Sequence, residues 1–255
     1  GYVLYDQLLN YQVLRSICNM HSHLHGSTDH ALKDKLIRLK HLIHDNYWFG
    51  SCDGNPDYVY HEILFEKGKK AASSCKGEYW MPFFSPHGYG YRFDAFANIL
   101  ASFLDIASDN QRNQVDQFIE NELIQDTLPV LPAFHPVILP KDEDWDDLQV
   151  TYSHTFKNKP YEYHNGGRWP MITAFYVADL VNRGEKEKAH RYLDGIHLAN
   201  AMEMNGEPWG FAEYIHGKDF VPGGTWKQGW SAAGAVIAHY AIEGKNVFRS
   251  NCYDN

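Results

Sequence analysis

Little in this 255-residue sequence points to a membrane, a nucleic acid or a disulfide scaffold. No run of about eighteen apolar residues and no charged-then-apolar leader occurs, so neither a transmembrane nor a signal segment is visible. The four cysteines, Cys18, Cys52, Cys75 and Cys252, lie far apart with no C-x-x-C pair. That spacing argues against a zinc site or a disulfide-dense secreted fold and favours a reducing, cytoplasmic home. There is no Lys/Arg block, and 23 basic against 32 acidic residues leave a net charge of −9. DNA, RNA and anionic membrane are therefore poor partners. A nucleotide-binding glycine loop is absent, since Gly88 and Gly90 lack the strand-to-helix context and trailing Lys/Ser that phosphate cradling needs. A nucleophile elbow, low-complexity segments and clean internal repeats are absent too, and no pattern implies a cofactor. Two-residue alternation with β-branched residues is scarce, the stretch Gln149 to Thr155 being the only fair strand candidate.

Apolar residues and aromatics are what the chain does have. At 44% apolar or aromatic it can bury a sizeable core, and one large helical domain could absorb its whole length. Seven Trp, seventeen Tyr and fourteen Phe make 15% aromatics. Sugar clefts use such rings because their faces cover the C–H faces of a sugar while Tyr and Trp edges still hydrogen-bond. Core filling explains the same composition equally well.

The apolar spacing is helical. Leu4, Leu8, Tyr11, Leu14 and Cys18 recur at three- and four-residue steps, as do Leu32, Leu36, Leu39 and Ile43 after the capping candidates Ser27, Thr28 and Asp29. Phe93, Phe96, Leu100, Phe103 and Ile106 predict a third helix and Val115, Phe118, Ile119 and Leu123 a fourth, with Asp109 and Asn110 as stop and cap. Pro170 and Gly184 bracket another at the positions where a helix start tolerates proline and a helix end wants a left-handed residue. A further helix carries Ala189, Tyr192, Leu193 and Ile196, and the last runs from about Trp230 to Ile242. The fold class expected is all-α, with helical hairpins sharing a rim of long loops, as in an α/α barrel or toroid. Those loops span roughly Asn46 to Tyr60, Gly77 to Tyr91, Pro129 to Arg168 and Asn205 to Trp226, and loops of that length are usually functional.

Three clusters carry candidate chemistry. Tyr161-Glu162-Tyr163-His164-Asn165-Gly166-Gly167-Arg168-Trp169-Pro170 brings polar and aromatic side chains to one helix mouth, with two glycines that permit close approach of a ligand. A rigid turn that caps the helix is the structural alternative. Pro208 to Lys218 holds a lone carboxylate, Glu213, amid aromatics, where its environment could suit it to act as a base on water or as an acid. Thr225-Trp226-Lys227-Gln228-Gly229-Trp230-Ser231 opens the last helix with two Trp and a Gln on one approach, a pattern that helix packing could also produce.

In order, Y-H-N-G-G-x-W-P at a helix start, a helical hairpin, an E-Y-x-x-G-K loop and Q-x-W-S opening another helix resemble the carboxy-terminal portion of the neutral/alkaline invertases. These are cytosolic, sucrose-cleaving glycoside hydrolases on an (α/α)6 barrel. The matching stretches here are Tyr163 to Pro170, Glu213 to Lys218 and Gln228 to Ser231. Arg92-Phe93 with Asn98, and Lys157-Asn158, are similar to further family positions, so the likeness runs from about residue 90 to 242.

The resemblance implies residues 1–255 as the carboxy-terminal portion of a single (α/α)6 catalytic domain, a barrel left incomplete in this chain. It implies an inverting glycoside hydrolase acting on a small sugar, disaccharide or short oligosaccharide. In such a mechanism one carboxylic acid protonates the glycosidic oxygen and a second carboxylate, roughly 6.5–9.5 Å away, activates water. The family's E-Y-x-x-G-K glutamate corresponds to Glu213, the general base, and His164, Asn165, Arg168, Trp169, Tyr214, Trp226, Gln228 and Trp230 become substrate-binding candidates. The family's general acid lies on a D-S-G-x-W-W segment that this sequence lacks. The acid is thus expected outside the chain, with Asp94 and Asp144 as weaker alternatives. The chain also opens at Gly1 directly into an apolar helical pattern, which reads as a fragment or a processed chain.

Two departures bear on the substrate. Trp209 stands four residues before Glu213 where the family has W-P-E-Y-Y, and the basic residues ahead of Q-x-W-S are replaced by Gly223, Gly224, Thr225 and Trp226. Sucrose specificity does not follow, and other disaccharide or glycoside hydrolases on this scaffold remain open. A sugar epimerase using His164 and His216 as bases is an alternative from another reaction class, and a non-catalytic sugar-binding form is a third. The expected partner is a small-molecule carbohydrate, and a homo-oligomer stays open. His21, His23 and His25, in a loop between two helices with no acidic neighbour fixed beside them, read as polar surface and not as metal ligands. The acidic run Asp142 to Asp147 reads as a solvated loop more readily than as a calcium site.

Overall fold

A computed structural model describes residues 1–27, 29–50, 54–124, 128–152 and 154–245. Helices dominate: α1 Leu4–His25, α2 His30–Tyr47, α3 Glu62–Ser73, α4 Ala95–Phe103, α5 Asp109–Phe118, α6 Trp145–Gln149, α7 Pro170–Asn182, α8 Lys186–Ala201 and α9 Gly229–Ile242. The all-α expectation holds, the strands among the described residues being two or three residues long. No helix among the described residues is long and apolar enough to cross a membrane. Two compact units emerge, one from residues 1–93 and 100–118, the other from 94–99 and 119–245.

In the first unit α1 and α2 form a hairpin. Gly26 ends α1 in the left-handed region at φ 72°, and the Asp29 carboxylate accepts from the Ala31 and Leu32 N–H groups at 2.7 and 3.2 Å to start α2. Asp29 is therefore the cap among the three candidates; Thr28 lies outside the described residues. His21, His23 and His25 stand in the last turns of α1, not in a loop, because the helix runs on to Gly26. A three-stranded antiparallel sheet of Tyr2–Val3, Phe83–Ser85 and Gly88–Tyr89 seats Phe84 against Tyr2, Tyr47, Tyr60 and Tyr89, with ring centroids 5.1–5.6 Å apart. Much of the aromatic content is core here. Cys18 and Cys75 are free thiols, and Cys52 and Cys252 lie outside the described residues.

The second unit is organised around α7. Its Pro170 start and the left-handed Gly184 beyond its end stand where the sequence placed them. Residues buried on nearly every side of α7, including Ile172, Ala174, Tyr176, Val177 and Leu180, fit a helix packed against both α8 and α9. Gly234 of α9 lets that helix approach closely, since a Cβ there would stand 3.2 Å from the Met171 Cα. The fourth predicted helix, α5, passes into a π-helical turn at Ile119–Leu123. The strand expected over Gln149 to Thr155 does not form: Gln149 closes α6, and the Val150 N–H bonds back to Asp146 as helical geometry dictates. Ser153 within that stretch lies outside the described residues.

One row of backbone hydrogen bonds positions the functional loops of this unit. Ala95 N donates to Ala133 O, Ala133 N to Gly167 O, and Trp169 N to Leu131 O, at 2.8–3.0 Å. Arg168 and Ile215 exchange a pair of 2.8 Å bonds, and Glu213 N donates to Thr225 O at 3.0 Å. Residues 95, 131–133, 167–169, 213–215 and 225 thus lie side by side. The amino ends of α4 and α7 open from this row, at Ala95 and Pro170, and that of α9 four residues after Thr225.

Candidate active site

Glu213 is the buried carboxylate of this row. Thr225 donates to its Oε2 twice, from the backbone N–H at 2.9 Å and from the hydroxyl at 3.0 Å. The turn that delivers Thr225 depends on Gly224, at φ +75°, where a side chain would be strained and its Cβ would meet the Glu213 Cβ at 2.7 Å. Both hydrogen bonds fall on one oxygen, which fixes the carboxylate plane and leaves the lone pairs of Oε1 for another donor.

A chain of ring contacts runs through the residues that flank this row. Tyr163 stacks on His164 at 4.2 Å, His164 lies 5.2 Å from Trp169, and Trp169 stands 6.1 Å from Tyr214 and 6.2 Å from Trp230. The Trp169 indole N–H donates to the Tyr163 carbonyl at 3.0 Å, locking the order of the rings. Burial pushes the His164 pKa down, partly opposed by the negative charge of Glu213, so the imidazole is neutral at neutral pH. The Tyr214 phenol is pushed up to about 12, first by burial and then by the Glu162 and Glu213 charges. Tyr152 is also raised, by burial and then by Tyr163, with a further contribution from Glu213. His164, Tyr152 and Tyr214 therefore all sense the Glu213 charge.

Not every sequence candidate faces this cluster. Asn165 spends its amide on the backbone: Nδ2 donates to Ile138 O at 2.9 Å and Asn158 O at 3.1 Å, while Oδ1 accepts from Ile138 N at 2.7 Å. The buried Arg168 guanidinium donates to Val130 O at 2.9 Å and Leu123 O at 3.4 Å, and lies 5.1 Å from the Phe220 ring. Both are braces behind the site. His216 accepts at Nδ1 from the Lys218 and Asp219 N–H groups of its own loop, at 3.3 and 3.1 Å. Gln228 is the N-cap residue of α9 without a side-chain capping bond, and Trp226 sits under the Lys227 ammonium, 4.0 Å from its ring centroid. Asp94, at the start of α4, accepts from the Ala97 N–H at 3.1 Å, and burial raises its pKa to about 6 although the residue keeps partial solvent exposure. Among the described residues no three His, Cys, Asp or Glu side chains gather as a metal site.

Backbone strain is concentrated in the same loops. Tyr161, Tyr163, Trp209, Phe211, Phe220 and Lys227 all have positive φ, between 45° and 69°. For residues this bulky the left-handed region costs on the order of 1–3 kcal/mol each, and such residues persist where the surrounding structure holds them, often at ligand sites. No sequence signal announces this, because glycine is the residue that usually marks such positions. Thr225 as the clamp of Glu213 and Tyr152 as a neighbour of its charge were likewise not singled out in the sequence. A short polar residue after two glycines is the only signal that could have found the first.

Comparison with known proteins agrees with the motifs. Residues 1–244 match the family described as "Alkaline and neutral invertase". The chain is 29% identical over 173 residues to "Probable alkaline/neutral invertase D" of Arabidopsis thaliana, covering 66% of this chain and 30% of that protein. With "Cytosolic invertase 1" of Oryza sativa subsp. japonica it shares 29% identity over 175 residues, 66% of this chain and 29% of that one. With "Probable alkaline/neutral invertase F" of Arabidopsis thaliana it shares 25% over 268 residues, 95% of this chain and 51% of the relative. The chain thus spans about half or less of the length of these curated relatives. The match over nearly its whole length means that the chain belongs to the alkaline and neutral invertase family.

Proposed function

We propose that the protein is a glycoside hydrolase acting on sucrose or a sucrose-like small glycoside by an inverting mechanism, with Glu213 as the general base. The observation that carries this reading is the one-sided clamp on Glu213, whose Oε2 takes both Thr225 bonds. A general base needs a fixed carboxylate with a free oxygen toward its water, and that arrangement supplies both. The neutral His164, with Trp169, Tyr214 and Trp230, lines the sugar position, where rings cover C–H faces and ring N–H and O–H groups meet hydroxyls. Water attacks the anomeric carbon as Glu213 takes its proton. A carboxylic acid on the opposite face gives a proton to the departing oxygen, so that one glycosidic C–O bond breaks as another C–O bond forms. In this reading the helices belong to an (α/α)6 barrel, the architecture that the family resemblance implies. The epimerase alternative loses support from His216, whose Nδ1 is held by its own loop.

Reducing-sugar release from sucrose, maltose and trehalose by wild type and Glu213→Gln tests the assignment. Turnover should fall by at least about a thousandfold in the variant, the scale expected when an activating base is lost together with its positioning. A variant with wild-type turnover sinks the general-base role.

A further inference from the structure

His21 and His25 stand one turn apart near the end of α1, and their rings lie 4.5 Å apart with planes 47° from parallel. In a loop the three histidines of this stretch would be scattered polar surface. Helix geometry sorts them: positions four apart share a face, while His23, midway between, turns to another. Two imidazoles that hold one metal ion side by side, each at about 2.0–2.1 Å, have centroids roughly 4.5–5 Å apart. The pair already has that spacing.

The hydrogen bonds leave the ligating atoms available. His21 Nδ1 lies 2.9 Å from the Ser27 carbonyl, which can only accept, so Nδ1 carries the proton and the Nε2 lone pair of the neutral ring is left for another partner. A carbonyl on one ring nitrogen is the usual way that a metal-binding imidazole is held in its tautomer. His25 is exposed and makes no hydrogen bond among the described residues, so its ring can turn to meet an ion. Charge favours a cation here as well. The carbonyls at the carboxy end of a helix carry partial negative charge, and α1 ends at Gly26. The Asp29 pKa is lowered first by its two cap bonds and then by the His21 and His30 charges, which places a carboxylate within electrostatic range of the pair.

We infer that His21 and His25 form a site for a divalent transition ion of the zinc, nickel and copper group, bound through two ring nitrogens with water in the remaining positions. Imidazole suits these ions, and no third His, Cys, Asp or Glu joins the pair among the described residues. An ion held there ties together the last turns of α1, next to the turn that leads into α2. The site lies within the first unit and does not depend on the glycosidase reading.

Calorimetric titration of the tag-free protein with zinc and with nickel, together with thermal melts, tests the inference. Wild type should take up a saturable equivalent of either ion. His21→Ala and His25→Ala should each weaken it at least about tenfold, the least that loss of even an outer partner of a metal site costs, and His23→Ala should leave it unchanged. Zinc should raise Tm by a few degrees in wild type and in His23→Ala, reversibly with chelator, and much less in the other two variants. In chelator all four proteins should melt together, so that a lost equivalent is a lost ligand. Absence of a saturable equivalent, an affinity that survives His25→Ala, an equal loss in His23→Ala, or a sharp fall in the chelator Tm of His25→Ala overturns the inference.

Discussion

Thr225 and Glu213 are joined three times: the Glu213 N–H donates to the Thr225 carbonyl, and the Thr225 N–H and hydroxyl both return to Glu213 Oε2. Two of these bonds survive any side chain at 225, so Thr225→Val isolates the hydroxyl. A hydrogen bond to a charged group contributes about 1.5–3 kcal/mol. Thr225→Val is expected to lower kcat about ten- to hundredfold with KM little changed and Tm within a few degrees of wild type, as steady-state kinetics and thermal melts will show.

Gly224 gives a harsher test of the same clamp. Alanine there meets a φ of +75° and the Glu213 Cβ together. Gly224→Ala should cost on the order of 1–3 kcal/mol in urea unfolding and abolish most turnover, because the carboxylate must move.

His164 makes folding sensitive to acid. Burial depresses its folded-state pKa below the ordinary imidazole value, so the unfolded chain binds the proton more readily. Stability should therefore fall as pH drops through about 6.5, and level off below the depressed value. His164→Gln should remove that part of the pH dependence in urea midpoints between pH 8 and 5.

Asp94 acts with the opposite sign. Its pKa of about 6 exceeds the ordinary aspartate value because burial disfavours the carboxylate. Its contribution to stability is full below about pH 4 and is lost as pH rises through 6. Asp94→Asn should flatten the urea midpoint between pH 4 and 6.5, and comparing the two variants assigns each titration to its residue.

Asn165 is predicted to matter for folding more than for sugar contact. Asn165→Asp keeps the shape but sets an acceptor against the Ile138 and Asn158 carbonyls. A loss of about 3 kcal/mol or more is expected in chemical denaturation, with whatever folds retaining its KM.

The helices were legible because each has a local cause. Leu4, Leu8, Tyr11 and Cys18 fall on one buried face of α1, and Pro170, Gly184 and Asp29 mark ends by their own backbone and side-chain chemistry. His164, Trp169, Tyr214 and Trp230 were legible as a group from their motifs, and ring contacts join them, while Glu213 reaches His164 and Tyr214 through its charge. What the sequence hid depends on contacts between distant segments. Asn165 and Arg168 look like ligand residues in a Gly-rich run, and only the positions of the 138, 158 and 130 carbonyls reveal them as braces. Helix α3 has a buried stripe of only Leu64, Phe65 and Gly68 among three lysines and two glutamates, too short a signal to raise it above the loops on either side.

The Asn165 amide pins Ile138 and Asn158 at once, so the feet of the segment between them are fastened by a single side chain. The nineteen intervening residues, 139–157, reach the site through Tyr152, so exchanging them is expected to alter what surrounds Glu213 while the Asn165 anchor keeps His164 and Trp169 in register. That segment behaves as an interchangeable cassette, in which selection can remodel what arrives at the site without disturbing the groups that would act on it.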